Sequence, residues 1–223
     1  ALFPPVICQE CLLRADKNLT WVYTEEQAFE DEVLTLARLR GTELGATPVS
    51  SGTGAALRML AAASRAKAVA EVGTGVGVSG LWLLSGMGSD GVLTTIDLEA
   101  ELHRQARRMF MNAGYQASRF RMINGRASDV MPRMAANSYD MVVLDCGPSE
   151  SANLVNMALR MLRVGGILAI TRALWNDNVA DPARRDPQTV IMRQLGRELI
   201  AHEQLLTNIL PVGDGLLVSV KLS

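Results

Sequence analysis

The residues best suited to ligand chemistry lie in one stretch, Ala68-Val-Ala-Glu-Val-Gly-Thr-Gly-Val-Gly-Val-Ser-Gly80, where an acid is followed by glycines at alternate positions. Gly73, Gly75 and Gly77 let the backbone turn tightly and approach a bound group, and the amides opening the next segment form an electropositive rim. Glu71 closes the short apolar run before them. A carboxylate there repels a dinucleotide's pyrophosphate but suits a cofactor carrying an ammonium and a sulfonium, namely S-adenosylmethionine. The same letters also fit G-x-G-x-x-G through Gly75, Gly77 and Gly80, with Asp97 at the spacing of a ribose-binding acid in dinucleotide proteins. A third reading is a strand-to-helix turn whose glycines serve geometry alone. The rest of the chain has to choose among the three.

An acid and a glycine bend need a rigid sheet to hold them. Strands are expected at the run before Gly73, then at 92–97, 120–124, 140–145 and 166–171. Helical stretches separate them at 79–85, 99–113, 127–135 and 151–162. Apolar strands alternating with amphipathic helices imply a parallel sheet covered on both faces. A charged, proline-bearing loop at 181–187 leads to a helix at 188–202, and two strands, 205–211 and 216–222, flank Val-Gly-Asp-Gly. That hairpin signal makes the last strand antiparallel to its neighbour.

Upstream, Pro4-Pro5, Cys8, Cys11 and Trp21 read as an irregular arm ending at Thr24, and Thr24 with Gln27 makes a capping box for a helix from Glu25 to about Leu44. A turn-rich loop at 47–54 and an alanine- and leucine-rich helix at 55–66 lead into the first strand. The chain therefore divides into an arm and helix at 1–46, either a lid or a packing and subunit-contact element, and a cofactor domain at 47–223.

Length and composition bound the function. The 223 residues suffice for one full domain, with 48% hydrophobic and 20% charged residues, so one compact core is expected. A formal net charge of -1 offers no bulk attraction to phosphate backbones, which argues against nucleic acid as partner and against RNA as methyl acceptor. No apolar run is long enough to span a bilayer and the start lacks a basic flank, so neither a membrane nor a signal peptide is expected and the cytoplasm is the default address. Cys8 and Cys11 form a lone CxxC. Beyond carboxylates only Cys146, His103 and His202 could complete a zinc site, and three cysteines cannot all pair. Neither zinc nor a disulfide framework is expected. His103 and His202 fall in helices away from the glycine turn and read as surface or packing residues, and the scattered methionines read as core filler.

Five segments in order, EVGTGVGVSGLWLL, GVLTTIDLEAE, SYDMVVLDCGP, LRVGGILAITRALW and LLTNILPVGDGLLVSVKL, resemble the S-adenosylmethionine-dependent O-methyltransferases related to caffeoyl-CoA and catechol O-methyltransferases, in a bacterial branch, over roughly 47–222. The resemblance implies a Rossmann-like α/β fold with a seven-stranded mixed sheet, a small-molecule acceptor and a homodimer. It places the methionine portion of the cofactor on Glu71, Gly73, Thr74, Gly75 and Ser79 with the backbone around Val49. It gives Asp97 the ribose hydroxyls, for which a carboxylate fork is suited, sets Leu98 beside the adenine, and offers the adenine edge the backbone of Gly125, Arg126 and Ala127.

The likeness breaks at the reaction centre. Relatives hold a divalent cation with an aspartate after the fourth strand and an Asp-Asn pair after the fifth. Asp145 fills the first place, but Thr171 and Arg172 replace the pair, and Pro148 stands where a lysine often follows. A hard cation needs several oxygen ligands and is repelled by a guanidinium, so no catalytic metal is expected. Arg172 reads either as a substitute for the metal, orienting an anionic acceptor, or as a structural partner of Asp145. Asp145 reads as general base or acceptor contact, Trp175 as pocket wall or core residue, and Arg184 with Arg185 as an extended anion surface or a solvated loop. Two functions stand: a metal-independent O-methyltransferase, or a catalytically altered S-adenosylmethionine-binding protein with a regulatory or assembly role.

Overall fold

The computed structural model describes residues 17–223, so the Cys8 and Cys11 pair lies outside the described residues. Five strands run parallel: β1 (Ala68–Val72), β2 (Val92–Asp97), β3 (Phe120–Asn124), β4 (Tyr139–Leu144) and β5 (Leu162–Ile170). A hairpin of β6 (Leu205–Leu210) and β7 (Leu216–Lys221) completes one seven-stranded sheet in the order β3-β2-β1-β4-β5-β7-β6, with β7 antiparallel to both its neighbours. The expected fold class is therefore the one observed, and β1, which carries Glu71, lies in the interior of the sheet.

Both faces of the sheet are covered. Val69 of β1 and Met141 and Val143 of β4 pack with α3 (Ser51–Ala63), α4 (Val78–Gly86) and α5 (Ala100–Asn112). Alternate residues Ala70, Val72, Val142 and Leu144 pack on the other side with α7 (Pro148–Met161) and α8 (Pro187–Ala201), the period-two pattern of strands buried twice. Fully closed side chains such as Phe110 and Leu57 each contribute about 1.5–3 kcal/mol relative to exposure. Between β3 and β4 the helical signal is short: α6 spans Ala127–Val130 and gives way at Pro132 to a 3₁₀ turn, Met131–Arg133. Among the described residues no helix is long and apolar enough to cross a membrane.

The upstream region differs from the expectation. Instead of an irregular arm to Thr24, a helix, α1, spans Lys17–Glu26. Thr24 is in its last turn, donating to the Trp21 carbonyl at 2.9 Å, so it caps nothing with Gln27. The following helix, α2, covers Glu32–Glu43 and is capped by Asp31, which accepts from the Leu34 amide at 2.9 Å. Ser50 caps α3 in the same way through the Thr53 amide, so that helix starts inside the expected loop and ends before Ala66. One carboxylate holds these parts together: Glu25 accepts from the Gly52 amide, the Ser50 hydroxyl and the Gly213 amide of the β6–β7 turn. Trp21 adds a bond from its Nε1 to the Gly213 carbonyl.

Helix α3 crosses α4 where Gly54 faces the Trp82 indole, and a methyl group there would overlap the ring. Replacing Gly54 by Ala is expected to lower stability by about 1–3 kcal/mol through overpacking. Urea denaturation would show it as a lower midpoint at unchanged slope.

Candidate active site

The carboxyl ends of β1, β2, β4 and β5 converge on one cleft. Strand β1 stops at Gly73 because φ is +93° there and the Asp145 carbonyl stands where a side chain would project. The Gly73 amide donates to the Ile96 carbonyl and the Asp145 amide to the Val72 carbonyl, each at 2.9 Å, so the bend is stitched to both neighbouring strands. A hollow of about 230 Å³ is lined by the 45–48 loop, Gly73, Thr74, Gly75, Ser79, Asp97, Asp145 and Arg172. A second, of about 280 Å³, continues past Gly73, Asp97 and Asp145 to Leu98, Gly125, Ala127 and Gly147.

Glu71 sits behind this surface, fully buried. Its register partner on β2 is Thr95, whose hydroxyl donates to Oε2 at 2.7 Å. Oε1 has no hydrogen-bond partner among the described residues. Burial pushes the carboxyl up to about 7; the Ser79 and Thr95 hydroxyls temper this, and the Asp145 and Asp97 charges add to it. The Ser79 hydroxyl comes near without closing a bond on Oε1.

Asp97 holds the loop as well as facing the cleft. Its Oδ2 accepts from the Gly75 amide at 2.8 Å and its Oδ1 from the Glu99 amide at 2.9 Å. Each oxygen keeps a second lone pair for a ligand hydroxyl. The clamp explains how Gly75 can rest at φ +50° with open space around it.

Opposite, Asp145 takes two hydrogen bonds, both on Oδ1, from the Thr171 hydroxyl at 2.6 Å and from Arg172 Nε at 3.3 Å. Burial raises its pKa despite the Arg172 charge and the Thr171 hydrogen bond. The rest of the guanidinium reaches Thr47, with Nη1 on the hydroxyl at 3.0 Å and Nη2 on the carbonyl. Arg172 thus pairs with Asp145 and also fastens β5 to the 45–48 loop. Burial likewise pushes the neighbouring Cys146 thiol to about 12, keeping it un-ionised.

This donor set does not fit a divalent cation. One Asp145 oxygen is occupied, Thr171 is spent on it, and the Arg172 charge stands 3.3 Å from it. Among the described residues no group of three or more His, Cys, Asp or Glu could hold an ion.

Some expected residues do not line the cleft with their side chains. The Val49 side chain is buried in the core and its carbonyl accepts from Arg38, while the backbone just before it, residues 45–48, lines the first hollow. Arg126 is exposed while its neighbours Gly125 and Ala127 line the second hollow. Trp175 is half-buried in a left-handed run with Asn176 and Asp177, and Leu174 and those two line a separate hollow beside α1. Arg184 faces Asp181, and Arg185 lines a hollow against α8.

His103 departs from its expected place. It is buried, and its Nε2 lies 3.1 Å from the Thr74 hydroxyl, inside the glycine turn's own hydrogen-bond network. The signal was its spacing: His103, Ala106 and Phe110 form one buried stripe of α5, at i, i+3 and i+7. His202, by contrast, lies just past α8, where its Nδ1 accepts from the Gln204 amide.

A mixed sheet of this order, with an acid-bearing glycine bend after β1 and an acid ending β2, is the methyltransferase variant of the Rossmann-like fold. The comparisons agree. The family model described as O-methyltransferase matches residues 25–222, and the chain belongs to that family. A Mycobacterium tuberculosis protein described as a probable O-methyltransferase is 46% identical over 201 residues, 90% of each chain. A crystal structure of a Corynebacterium glutamicum protein superposes with a TM-score of 0.85 at 32% identity, over 92% of this chain and 97% of that one. The O-methyltransferase TomG from Streptomyces achromogenes, solved in complex with S-adenosylmethionine and described as involved in tomaymycin synthesis, gives 0.82 at 25% identity, over 94% and 100%.

The buried acid leaves a mark on stability. Glu71 holds its proton more tightly folded, at about 7, than at the ordinary 4.5, so protonation favours the folded state. That contribution, about 3 kcal/mol for a shift of this size, is complete below the ordinary value and is lost as pH rises to the folded value. In urea titrations across this window the unliganded wild type is expected to lose stability relative to Glu71→Gln. Parallel pH profiles for the two proteins would show that the cost of charging Glu71 is absent.

Proposed function

We propose that the chain is an S-adenosylmethionine-dependent O-methyltransferase that acts on a small, anionic acceptor without a catalytic cation. The observation that carries this reading is the charge of the cleft: Asp97 and Asp145 line it, Glu71 lies behind it, and Arg172 answers only Asp145. Such a surface disfavours a pyrophosphate and favours a ligand with a fixed positive charge and free hydroxyls. Glu71 Oε1, buried and unpartnered, suits an ammonium, and Asp97 suits ribose hydroxyls. The relative solved with S-adenosylmethionine supports the same choice. When bound, that cofactor supplies a methyl group on a sulfonium, already a reactive electrophile.

The protein's share is placement and proton handling. Asp145, with both its hydrogen bonds on Oδ1, keeps Oδ2 for the proton of an acceptor hydroxyl, and burial strengthens it as a base. Arg172 holds that carboxylate and the 45–48 loop in a fixed relation, and its charge favours an acceptor oxygen in anionic form. The alternative, a cofactor-binding protein without turnover, draws on the same residue, because a guanidinium tied across the cleft could also close it. Methyl transfer to any phenolic or carboxylate acceptor separates the two.

Calorimetry is expected to show binding of S-adenosylmethionine and none of a nicotinamide dinucleotide. Asp97→Asn should weaken binding by about tenfold to a hundredfold, the range for a hydrogen bond to a charged group. Turnover should survive a chelator unchanged. Tight dinucleotide binding, or loss of turnover on chelation restored by added magnesium, would contradict the reading.

A further inference from the structure

The buried polar groups next to the glycine bend form an unbroken chain. His103 Nε2 meets the Thr74 hydroxyl at 3.1 Å, Thr74 meets the Thr95 hydroxyl at 2.6 Å, and Thr95 meets Glu71 Oε2 at 2.7 Å. All four side chains are buried, and the far carboxylate oxygen, Oε1, is unpartnered among the described residues.

A hydroxyl has one proton to give, so the direction of each bond fixes the next. If Glu71 is ionised it can only accept. Thr95 then spends its proton on Oε2, Thr74 spends its proton on Thr95, and His103 must present an N–H at Nε2. If Glu71 is neutral, a proton on Oε1 would be a buried donor where no hydrogen bond is formed, which is costly. A proton on Oε2 gives every hydroxyl of the chain a receiver: Glu71 donates to Thr95, Thr95 to Thr74, and Thr74 to a bare Nε2, with the imidazole proton on Nδ1. The two charge states of the acid therefore require opposite tautomers of a histidine three residues away along the chain of bonds.

We propose that His103 is a positioning residue for the cofactor's ammonium: through Thr74 and Thr95 its bare Nε2 receives the chain of bonds while Glu71 is neutral and its Nε2–H feeds the chain once the ammonium ionises Glu71, so that the tautomer and the acid switch together on binding. No net proton reaches His103. One proton leaves Glu71 for solvent as the cation arrives, and the imidazole proton moves from Nδ1 to Nε2 by exchange. The groups facing the pair are known. Asp145 after β4, Asp97 from β2 and the Ser79 hydroxyl from α4 act on Glu71, Arg172 after β5 stands against Asp145, and His103 faces Asp97 and the Thr95 backbone. Burial works in the same sense at both ends, raising the acid to about 7 and opposing the charged imidazole, so on the acid side of that value Glu71 in the empty site keeps its proton.

This inference rests on the cofactor reading above, and its test separates the two. The probe is S-adenosylhomocysteine, which keeps the ammonium. Its affinity for the wild type, measured by calorimetry, is expected to climb with pH as Glu71 ionises. In His103→Phe, which lacks both donor and acceptor, the Thr74 proton has no receiver while Glu71 is neutral, so the midpoint should move down by about one pH unit, giving about tenfold tighter binding on the acid side and a change within about twofold on the alkaline plateau. His103→Gln, which retains an amide N–H and a carbonyl, should restore the wild-type midpoint. The ligand's own ionisation is common to all three. Imidazole nitrogen-15 spectra of the wild type give a readout that needs no variant: Nδ1–H in the empty protein and Nε2–H at saturation. Intact binding with one tautomer throughout, or with coincident midpoints for wild type and His103→Phe, would overturn the relay alone. Absence of binding at every pH would overturn the cofactor reading and the relay with it.

Discussion

The structure depends on a carboxylate enclosed inside a parallel sheet. Glu71 lies between Thr95 of β2 and Val143 of β4, with one oxygen satisfied and the other not. Charging such a group without a partner is costly, and a fold retains it only where something else repays the cost. Its surroundings are built to limit the cost rather than remove it. Thr95 serves one oxygen, the Gly73 bend brings backbone close without a side chain, and the sheet holds Asp97 and Asp145 near enough to discourage ionisation until a cation comes. The site is in this sense incomplete without a positive ligand, which is the property a sulfonium nucleoside with an ammonium would use.

The far side of the cleft follows from two residue types. With Thr171 and Arg172 after β5, Asp145 has a hydroxyl donor and a fixed positive charge on one of its oxygens. Arg172 can reach both Asp145 and Thr47 from the strand's end with φ at +54°, an uncommon conformation for a residue with a side chain. A positive charge therefore stands beside Asp145, and it comes with a structural duty, because the same guanidinium pins the 45–48 loop that lines the first hollow.

Much of the fold was legible. β2 and β3 have the limits read from alternation and flanking turns, and the remaining strands and most core helices agree to within a few residues at their ends. The larger differences arise where a local signal had two interpretations. Thr24 with Gln27 has the letters of a capping box, but Asp31 performs the capping, since the chain is still helical at Thr24. The Thr47–Gly54 stretch, rich in turn residues, contains the cap and first turn of α3, because Glu25 from a distant helix satisfies the Gly52 amide there. Tertiary hydrogen bonding overrode local composition in that case.

For the site, residue types and their order along the chain determined a great deal: a glycine bend after a strand, an acid on each side of it, and an arginine after the fifth strand. These are local facts, carried by spacing within one strand-turn-helix unit and by the sheet alternation that brings strand ends to a common edge. The tertiary structure alone decided which side chains touch. The register of β1 on β2 sets Thr95 beside Glu71, the rotation of α5 turns His103 inward to Thr74, and the β5 end carries Arg172 across to Thr47. Register and helix rotation are settled by packing between segments far apart in sequence, and a shift of one residue would send each of these groups to another face. That is why the presence of an acid could be read from the sequence while its hydrogen-bond partners could not.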